Sequence, residues 1–369
     1  MAVVGVAALA AVGAVAYSAG HDTAVTGNPS AASQPATGSG GAGGGSTGGG
    51  ASGTLPDGSG GSSTSASTAA TAAESVGVVD INTVLGYQGA RAAGTGLVLT
   101  STGEILTNNH VVDGATKISV TVVSTGTTYS ATVVGTDPTD DVAVLQLSNA
   151  SGLRTAAIGD SSTVRTGASV TGVGNAGGVG GTPSAAVGQV VALNQSLTAS
   201  DTTGSNPENL TGMIEINAPI EAGDSGGPLY NSSGKIVGID TAAQTNGRTT
   251  SVAYAIPINR ALALAAQIES GPASSTIHLG YPPFMGIAVS DANGGALVEH
   301  VTSGSPAQNA GLAGGDVITA VDGTKVTSTA GLKSALSSHK PGDTVTIHWT
   351  DTAGQAHSAS LTLITGPAD

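Results

Sequence analysis

The sequence contains no cysteine and very few aromatic residues. Its 369 residues include one tryptophan, one phenylalanine and six tyrosines. Without cysteine the chain can form neither a disulfide nor a thiolate metal site, so packing must hold the fold together. The His, Asp and Glu residues also show no metal-ligand spacing. We therefore expect no metal and no cofactor.

Charge, and basic charge above all, is equally scarce. Charged residues make up 9% of the chain, with 10 Lys and Arg against 24 Asp and Glu, and the formal net charge is −14 at pH 7. Binding to nucleic acid needs a basic surface that neutralises phosphates. The sequence cannot supply such a surface, so we expect no nucleic-acid partner.

Residues 1–19 contain an apolar run, Ala2 to Tyr17, that is not preceded by a basic residue. The run is near the lower length limit for a membrane span and slightly long for a signal-peptide core. Both interpretations stay open, and we favour a retained anchor because a long flexible segment follows. Either one predicts an extracytoplasmic protein, anchored to a membrane or secreted.

Residues 20–75 are rich in Gly, Ser, Thr, Ala and Pro and contain no Lys or Arg. A segment of this composition cannot bury enough apolar surface to offset its conformational entropy. We predict that it is a disordered linker.

Residues 76–272 consist of short runs of Val, Ile, Leu and Thr separated by Gly, Asn, Asp and Pro. Short strands at even spacing predict a mainly β domain, either a barrel or a sandwich. The helical spacing from Ile258 to Glu269 predicts a helix that closes this domain.

The hexapeptide Gly-Asp-Ser-Gly-Gly-Pro at residues 223–228 is the strongest chemical signal. It combines a serine with glycines that let backbone amides converge, as acyl transfer requires. His110 lies upstream in Thr-Asn-Asn-His-Val-Val, and Asp141 lies between them in Asp-Asp-Val-Ala-Val-Leu. The order His, Asp, Ser is that of chymotrypsin-type proteases.

These motifs resemble the HtrA (Deg) family of bacterial serine proteases. The similarity extends over roughly residues 76–365 and implies a chymotrypsin-like double β-barrel of six strands each, with the active site between the barrels, followed by a PDZ domain. The segments that carry the resemblance are residues 107–112, 137–145, 173–175, 223–229 and 251–257.

The resemblance implies a catalytic triad of His110, Asp141 and Ser225. His110 would take the proton of the Ser225 hydroxyl, and Asp141 would fix the histidine tautomer. Asp140 competes with Asp141, but Asp141 stands directly before the apolar strand and aligns with the family, which leaves Asp140 as a solvated neighbour. Gly223, Asp224 and Ser225 would form the oxyanion loop, with the Gly223 and Ser225 amides as donors.

Asp224 departs from the family, in which Asn often precedes the nucleophile. In the trypsin branch an Asp here pairs with a new N-terminal amine, but this chain has no Ile-Val-Gly-Gly start. We expect Asp224 to be solvated or to pair with a cation that the sequence does not identify. How the oxyanion loop is ordered therefore stays open.

The substrate pocket follows from the same resemblance. Pro219 stands six residues before Ser225, where trypsin-like enzymes place the residue that reads charge. Pro219 cannot bind Lys or Arg. Val252, Ala253 and Tyr254 resemble the strand that walls the pocket, and together these residues predict a small or medium apolar P1 side chain.

Residues 280–365 resemble a PDZ domain of the HtrA type. Phe284, Met285, Gly286 and Ile287 match the loop that binds the carboxylate of a C-terminal peptide. The peptide would add as a strand beside the sheet, and its carboxylate would sit on the loop amides. Phe284 and Ile287 would line the site for its last side chain.

The resulting prediction is an exported, ATP-independent serine endopeptidase that acts on misfolded or regulatory proteins in protein quality control. Its PDZ domain would regulate it by binding C-terminal peptides. The alternative is a non-enzymatic peptide-binding chaperone or sensor on a protease scaffold. Family members often form homotrimers through aromatic contacts near the start of the protease domain. Only Tyr87 is aromatic there, so the oligomeric state stays open.

Overall fold

The structure is a computed structural model, and it describes residues 67–199, 208–245 and 251–369. The predicted signal peptide or anchor at residues 1–19 and most of the predicted linker lie outside this part of the chain. No helix among the described residues is long and apolar enough to span a bilayer.

The first domain consists of two closed barrels of six antiparallel strands each. The first strands of the chain are β1 (Thr68–Ala69), β2 (Val78–Leu85), β3 (Ala90–Val98), β4 (Glu104–Thr107), β5 (Lys117–Val122), β6 (Thr127–Asp137) and β7 (Val142–Leu147). A four-residue helix, α1 (Asn109–Val112), follows β4. In the first barrel the strand order is β6-β5-β2-β3-β4-β7, and β6 pairs with β7 to close it.

The strands of the second barrel are β8 (Ser169–Gly174), β9 (Ser184–Ala199), β10 (Glu208–Ile216), β11 (Pro228–Asn231), β12 (Ile236–Thr245) and β13 (Ser251–Pro257). They follow one another in the order β9-β10-β13-β12-β11-β8, and β9 pairs with β8 to close the barrel. The helix α2 (Ile258–Ser270) follows β13 and buries Ile258, Ala261 and Leu264. The predicted barrel fold and the predicted closing helix are thus both present.

Alternation of side chains explains why these segments form barrels. In β5 the residues Ile118, Val120 and Val122 are buried, while the residues between them are partly exposed. Strand side chains point alternately to the two faces of a sheet, so one face of β5 fills the barrel. Each barrel therefore has its own apolar interior.

The packed body of the protein begins earlier than residue 76. β1 pairs with β9, with Thr68 opposite Ala185. Ala70 is buried, and the hydroxyl of Tyr230 donates to the carbonyl of Glu74 at 2.9 Å. Residues 67–75, which the composition assigned to the linker, therefore contribute backbone pairing and buried surface to the second barrel.

The C-terminal part of the chain is a separate sheet with its own core. The remaining elements are β14 (His278–Leu279), β15 (Pro283–Phe284), β16 (Ile287–Ala292), β17 (Gly295–Val301), α3 (Pro306–Asn309), β18 (Val317–Val321), β19 (Thr324–Lys325), α4 (Thr329–Leu336), β20 (Thr344–Thr350), β21 (Ala356–Thr362) and β22 (Ile364–Thr365). In this sheet the strand order is β16-β17-β18-β20-β21. β16 lies at the edge of this sheet, beside α4.

Segments at both ends of this sheet also contact the first barrel. β14 pairs with β6. Residues 364–369, which we call the C-terminal strap, pair through β22 with β15. The strap then places Ala368, which is 1% exposed, in the apolar interior of the first barrel.

Candidate active site

His110 and Asp141 lie in direct contact. His110 is carried by α1, and its backbone N–H donates to Asp141 Oδ1 at 3.0 Å. Its ring Nδ1 lies 3.0 Å from Oδ1 and 2.9 Å from Oδ2 of the same carboxylate. The side chain of His110 is 19% exposed, whereas that of Asp141 is 1% exposed. The buried carboxylate of Asp141 thus fixes the Nδ1 side of the partly accessible His110 ring.

Asp141 is fixed by neighbours on several sides. Its φ of 54° is in the left-handed region, which non-glycine residues adopt only when their surroundings hold them there. Its carbonyl accepts a hydrogen bond from Asn108 Nδ2 at 2.9 Å, and its Oδ2 accepts one from the hydroxyl of Thr241. The carboxylate can therefore face His110 in only one orientation.

Thr241 was missed by the sequence analysis, although it connects all three predicted catalytic residues. It is fully buried on β12. Its side chain donates to Asp141, and its carbonyl accepts from Ser225 Oγ at 3.1 Å. The signal available in the sequence is a pair of polar residues, Asp240 and Thr241, directly after the apolar run of a buried strand.

Ser225 lies against the first barrel. Its carbonyl oxygen is 3.2 Å from the position that a Cβ on Gly94 would occupy, and Val111 Cγ1 is 2.6 Å from the same position. Only glycine leaves room at residue 94 for both neighbours. Because Val111 follows His110 in the chain, this close approach brings the nucleophile segment beside the histidine helix.

The amides of Gly223 and Ser225 are oriented by the carbonyls on the other side of their peptide bonds. The Ala222 carbonyl accepts from Gly177 N at 2.6 Å, and the Asp224 carbonyl accepts from Gly227 N at 2.8 Å. In a trans peptide the N–H points opposite to the C=O. Both amides therefore point away from those partners, and neither has an acceptor within the described residues.

Gly223 must be glycine for this loop to form. Its φ is +100°, and an added Cβ would lie 2.0 Å from the carbonyl oxygen of Asn175. A side chain there would push the loop off the turn that contains Gly177. The loop thus combines two amides that have no acceptor among the described residues with a position that only glycine can occupy, which is the geometry that binding of an oxyanion requires.

Asp224 is buried, at 1% exposure, so the expectation that it is solvated is wrong. Its carboxylate accepts hydrogen bonds from Ser184 Oγ at 3.2 Å and from Glu221 N at 2.9 Å. It forms no ion pair with a basic residue in the described part of the chain. Burial raises the pKa of Asp224 to about 6, against the opposing effect of these hydrogen bonds.

A second buried carboxyl, Asp240, lies close to Asp224. It is fully buried, and its side-chain oxygens have no hydrogen-bond partner among the described residues. Burial, and next the neighbouring Asp224, raises the pKa of Asp240 well above its ordinary value. The two acids flank the nucleophile loop, since the Asp240 carbonyl also accepts from Gly226 N at 2.8 Å.

Asp140 faces away from the histidine. Its carboxylate forms a partly exposed ion pair with Arg260 on α2. The carboxylate in contact with the His110 ring is that of Asp141. The two adjacent aspartates therefore have different partners.

The residues predicted to line the substrate pocket do not all face the same way. Pro219 is half-buried and precedes the oxyanion loop. Ala253 is fully buried within the second barrel, whereas Tyr254 packs against the apolar cluster on the other side of β13. Val252 and Tyr254 share one face by strand alternation. Ala253 thus belongs to the barrel interior, and Val252 and Tyr254 lie on the opposite face of β13.

The loop predicted to bind a peptide carboxylate has its amides turned outward. The Met285 carbonyl accepts from Ala307 N at 2.9 Å, and the Gly286 carbonyl accepts from Thr302 N at 2.8 Å. By peptide planarity the N–H groups of Gly286 and Ile287 point the other way. Gly286 has a φ of +85°, and an added Cβ would lie 2.2 Å from Ser305 Cβ.

The side chains of this loop divide between the sheet core and the first barrel. Met285 is buried within the core of the C-terminal sheet, and Ile287 packs partly against that core. Phe284 instead contacts Tyr87 of the first barrel, with ring centroids 4.9 Å apart. No group of residues that could hold a metal ion occurs in the described part of the chain.

Comparison with known proteins assigns both parts of the molecule. A trypsin-like peptidase domain model matches residues 94–239, and a PDZ domain model matches residues 283–350. The pH-dependent serine endoprotease DegQ of Escherichia coli is 36% identical over 264 residues, which cover 68% of this chain and 55% of DegQ. The serine protease PepD of Mycobacterium tuberculosis is 32% identical over 306 residues, which cover 78% of this chain and 63% of PepD.

The periplasmic serine endoprotease DegP of Escherichia coli is 34% identical over 268 residues, which cover 69% of this chain. The chain thus spans 54–63% of the length of these relatives. The fold and the site define a trypsin-like serine peptidase domain followed by a PDZ domain. The chain belongs to the HtrA/Deg family of serine proteases.

Proposed function

We propose that this protein is a serine endopeptidase that cleaves unfolded or regulatory proteins through an acyl-enzyme. The observation that supports it most is a connected set of hydrogen bonds: the Ser225 hydroxyl donates to the Thr241 carbonyl, the Thr241 hydroxyl donates to the Asp141 carboxylate, and that carboxylate contacts Nδ1 of His110. Relatives of the same family are named serine proteases.

The proposed mechanism assigns one role to each group. The Ser225 hydroxyl attacks the scissile carbonyl while His110 takes its proton, and His110 later gives that proton to the leaving amine. Asp141 stabilises the imidazolium that forms in between. For attack, the Ser225 hydroxyl must turn from the Thr241 carbonyl to the His110 ring. The amides of Gly223 and Ser225 hold the negative oxygen of the intermediate.

Substitution of Ser225 tests this proposal. We expect Ser225→Ala to abolish cleavage of casein and covalent labelling by a fluorophosphonate probe, with an unchanged melting temperature. Ser75→Ala is a matched control, because Ser75 is also buried and its hydroxyl also donates to a backbone carbonyl, that of Thr71 at 2.9 Å. Wild-type casein cleavage by Ser225→Ala would overturn the proposal and leave a peptide-binding chaperone or sensor.

The proposed domain boundaries are residues 76–272 for the protease and 280–365 for the PDZ domain, with residues 67–75 packed on the protease. For the substrate we propose a small or medium apolar P1 residue, because Pro219 offers no charge to Lys or Arg. N-terminal sequencing of peptides cut from casein tests this preference. Frequent cleavage after Lys or Arg would contradict it.

We also propose that the PDZ domain binds C-terminal peptides and thereby regulates proteolysis. The outward amides of Gly286 and Ile287 and the open edge of β16 support this proposal. Calorimetry with an apolar peptide as the free acid and as the C-terminal amide tests it. We expect at least tenfold weaker binding of the amide, and equal affinities would contradict a carboxylate site.

For location we propose an extracytoplasmic protein, because DegQ and DegP are named periplasmic. Residues 1–19 would be its signal peptide or membrane anchor. Membrane fractionation together with intact mass distinguishes the two. Sedimentation analysis of the purified protein tests whether it forms the homotrimer frequent in the family.

A further inference from the structure

Thr95 connects the first barrel to the oxyanion loop of the second through a set of buried hydrogen bonds. It lies on β3 and is fully buried. Its N–H donates to the Ser225 carbonyl at 2.8 Å, and its hydroxyl donates to the Gly223 carbonyl at 2.7 Å. The same hydroxyl accepts from Asn175 N at 2.9 Å.

Thr95 is itself held in place. Its carbonyl accepts a hydrogen bond from the hydroxyl of Thr107 at 2.7 Å, and Thr107 is the last residue of β4. Thr107 is fully buried too. The Thr95 hydroxyl thus has a fixed position in the first barrel from which it contacts two segments of the second.

These contacts determine the orientation of the oxyanion loop. The Gly223 carbonyl is directed at Thr95, which fixes the plane of the peptide between Gly223 and Asp224. Through Asn175 N, the same hydroxyl anchors the turn whose Gly177 N–H holds the Ala222 carbonyl. That second contact turns the Gly223 N–H outward. One hydroxyl therefore supports the loop on both sides of Gly223.

We propose that Thr95 is a positioning residue for the oxyanion hole: its hydroxyl holds the peptides around Gly223 in the orientation that presents the Gly223 and Ser225 amides to the substrate. This inference rests on the proposed serine peptidase function. Thr95 touches no reacting atom and acts only through the loop. Its removal should weaken stabilisation of the tetrahedral intermediate and leave substrate binding unchanged.

The test compares Thr95→Val, Thr95→Ser and Thr83→Val. Valine keeps the shape of threonine and removes the hydroxyl, and serine restores the hydroxyl without the methyl group. Thr83→Val is the matched control, because Thr83 is buried in the same barrel and donates only to the Ala92 carbonyl, at 3.3 Å.

We expect Thr95→Val to lower kcat for casein cleavage and the rate of fluorophosphonate labelling by the same factor, between about tenfold and a hundredfold. Loss of a whole oxyanion donor sets the upper bound, at about 10²–10³. KM should stay within about twofold, Thr95→Ser should recover most of the rate, and Thr83→Val should resemble the wild type. KM should change little because the interaction is made only in the transition state, so its loss lowers kcat and leaves substrate binding unchanged.

Three outcomes would overturn the proposal: a Thr95→Val enzyme as active as Thr83→Val, a change confined to KM, or a loss that Thr95→Ser does not recover. If Thr95→Val fails to fold, Thr95→Ala replaces it, since alanine removes the hydroxyl without placing a new methyl group against Gly223. Failure of the proposed function is seen separately, as persistent casein cleavage by Ser225→Ala. A loss in Thr95→Val that Thr95→Ser does not recover would assign Thr95 a packing role and contradict positioning by the hydroxyl.

Discussion

The adjacent residues Asp140 and Asp141 show how one position along the chain separates two roles. The residue at 141 is buried against His110, and the residue at 140 pairs with Arg260 at the surface. We expect Asp141→Asn to lower kcat/KM by about 10³–10⁴, because an amide favours the wrong histidine tautomer; the upper figure is that of the well-studied protease template. Peptide-substrate kinetics measure this loss.

Asp140→Asn is the matched control for that substitution. It removes a partly exposed ion pair, so we expect kcat/KM within about threefold of the wild type and a loss of stability below about 1 kcal/mol. Comparable losses of activity in the two variants would show that the buried contact with His110 does not decide which aspartate takes part in catalysis.

Asp240 makes a separate prediction about stability and pH. Its folded pKa is raised by burial, and next by Asp224, so the folded state holds a proton that the unfolded chain releases near pH 4. The stability that the protonated Asp240 carboxyl contributes is fully present below its pKa in the unfolded chain. It is lost as the pH rises toward its pKa in the folded protein. The free energy of unfolding should therefore fall by up to about 1.4 kcal/mol per pH unit in this window.

Asn has no proton to release, so the stability of Asp240→Asn relative to the wild type should rise as the pH increases from 5 to 7. Urea unfolding at a series of pH values measures the difference. Parallel pH curves for wild type and Asp240→Asn would mean that Asp240 has no proton to lose.

At this scale the sequence carries a signal for residues that belong to motifs and none for residues defined only by contacts. His110, Asp141 and Ser225 each stand in a recognisable segment. The Thr241 hydroxyl donates to the Asp141 carboxylate, 100 positions away, and the Thr95 hydroxyl donates to the Gly223 carbonyl, 128 positions away, so neither contact has a local sequence signal. Asp224 was misjudged for the same reason, because its burial depends on Ser184 and Glu221.

Among the elements, the C-terminal strap connects the PDZ domain to the first barrel. The N–H of Gly114 donates to the Ala368 carbonyl at 2.8 Å, and the N–H of Ala368 donates to the Ala115 carbonyl at 2.9 Å. These residues follow α1, so the strap packs beside the segment that carries His110. Ala368 contributes its methyl group to the barrel interior.

We expect Ala368→Asp to lower the free energy of unfolding by about 2 kcal/mol or more, because it places a carboxyl in an apolar site without a partner. Urea denaturation measures the change. Ala353→Asp, in an exposed turn, is the matched control and should have little effect. Equal stability of the two variants would show that residues 364–369 do not hold the domains together.

Periodicity predicted the long strands and could not predict the short ones. In β20 the buried residues Val345, Ile347 and Trp349 alternate with more exposed ones, and this period of two is readable in the sequence. β1 and β22 contain two residues each, which is too short for any alternation to show. Their pairing is decided by tertiary contacts, so both were absent from the sequence analysis.

At the scale of the whole molecule, the family resemblance predicted the two folded parts, whereas composition could not locate where packing begins. The resemblance to HtrA/Deg proteases predicted two barrels and a PDZ domain, and both are present. The linker composition continues into residues 67–75, yet these residues pack on the second barrel. Small polar residues can pair as a strand edge without any apolar pattern, so composition alone cannot locate where packing begins.

The placement of residues 67–75 gives a prediction about two truncated proteins, one starting at residue 67 and the other at residue 76. Only the longer protein keeps β1, the buried Ala70 and the hydrogen bonds from Ala70 N to the Pro183 carbonyl at 2.8 Å and from Tyr230 to Glu74. We expect the shorter protein to be less stable by about 1–3 kcal/mol, from lost hydrogen bonds and lost apolar burial.

The shorter truncation should also lose activity, since β1 pairs with Ser184, whose hydroxyl donates to the carboxylate of Asp224 beside the nucleophile. We expect slower fluorophosphonate labelling of the protein that starts at residue 76 and faster labelling of the one that starts at residue 67. Urea unfolding and labelling rates, measured on both proteins side by side, control for the removal of residues 1–66. Equal stability and equal labelling would show that residues 67–75 belong to the linker after all.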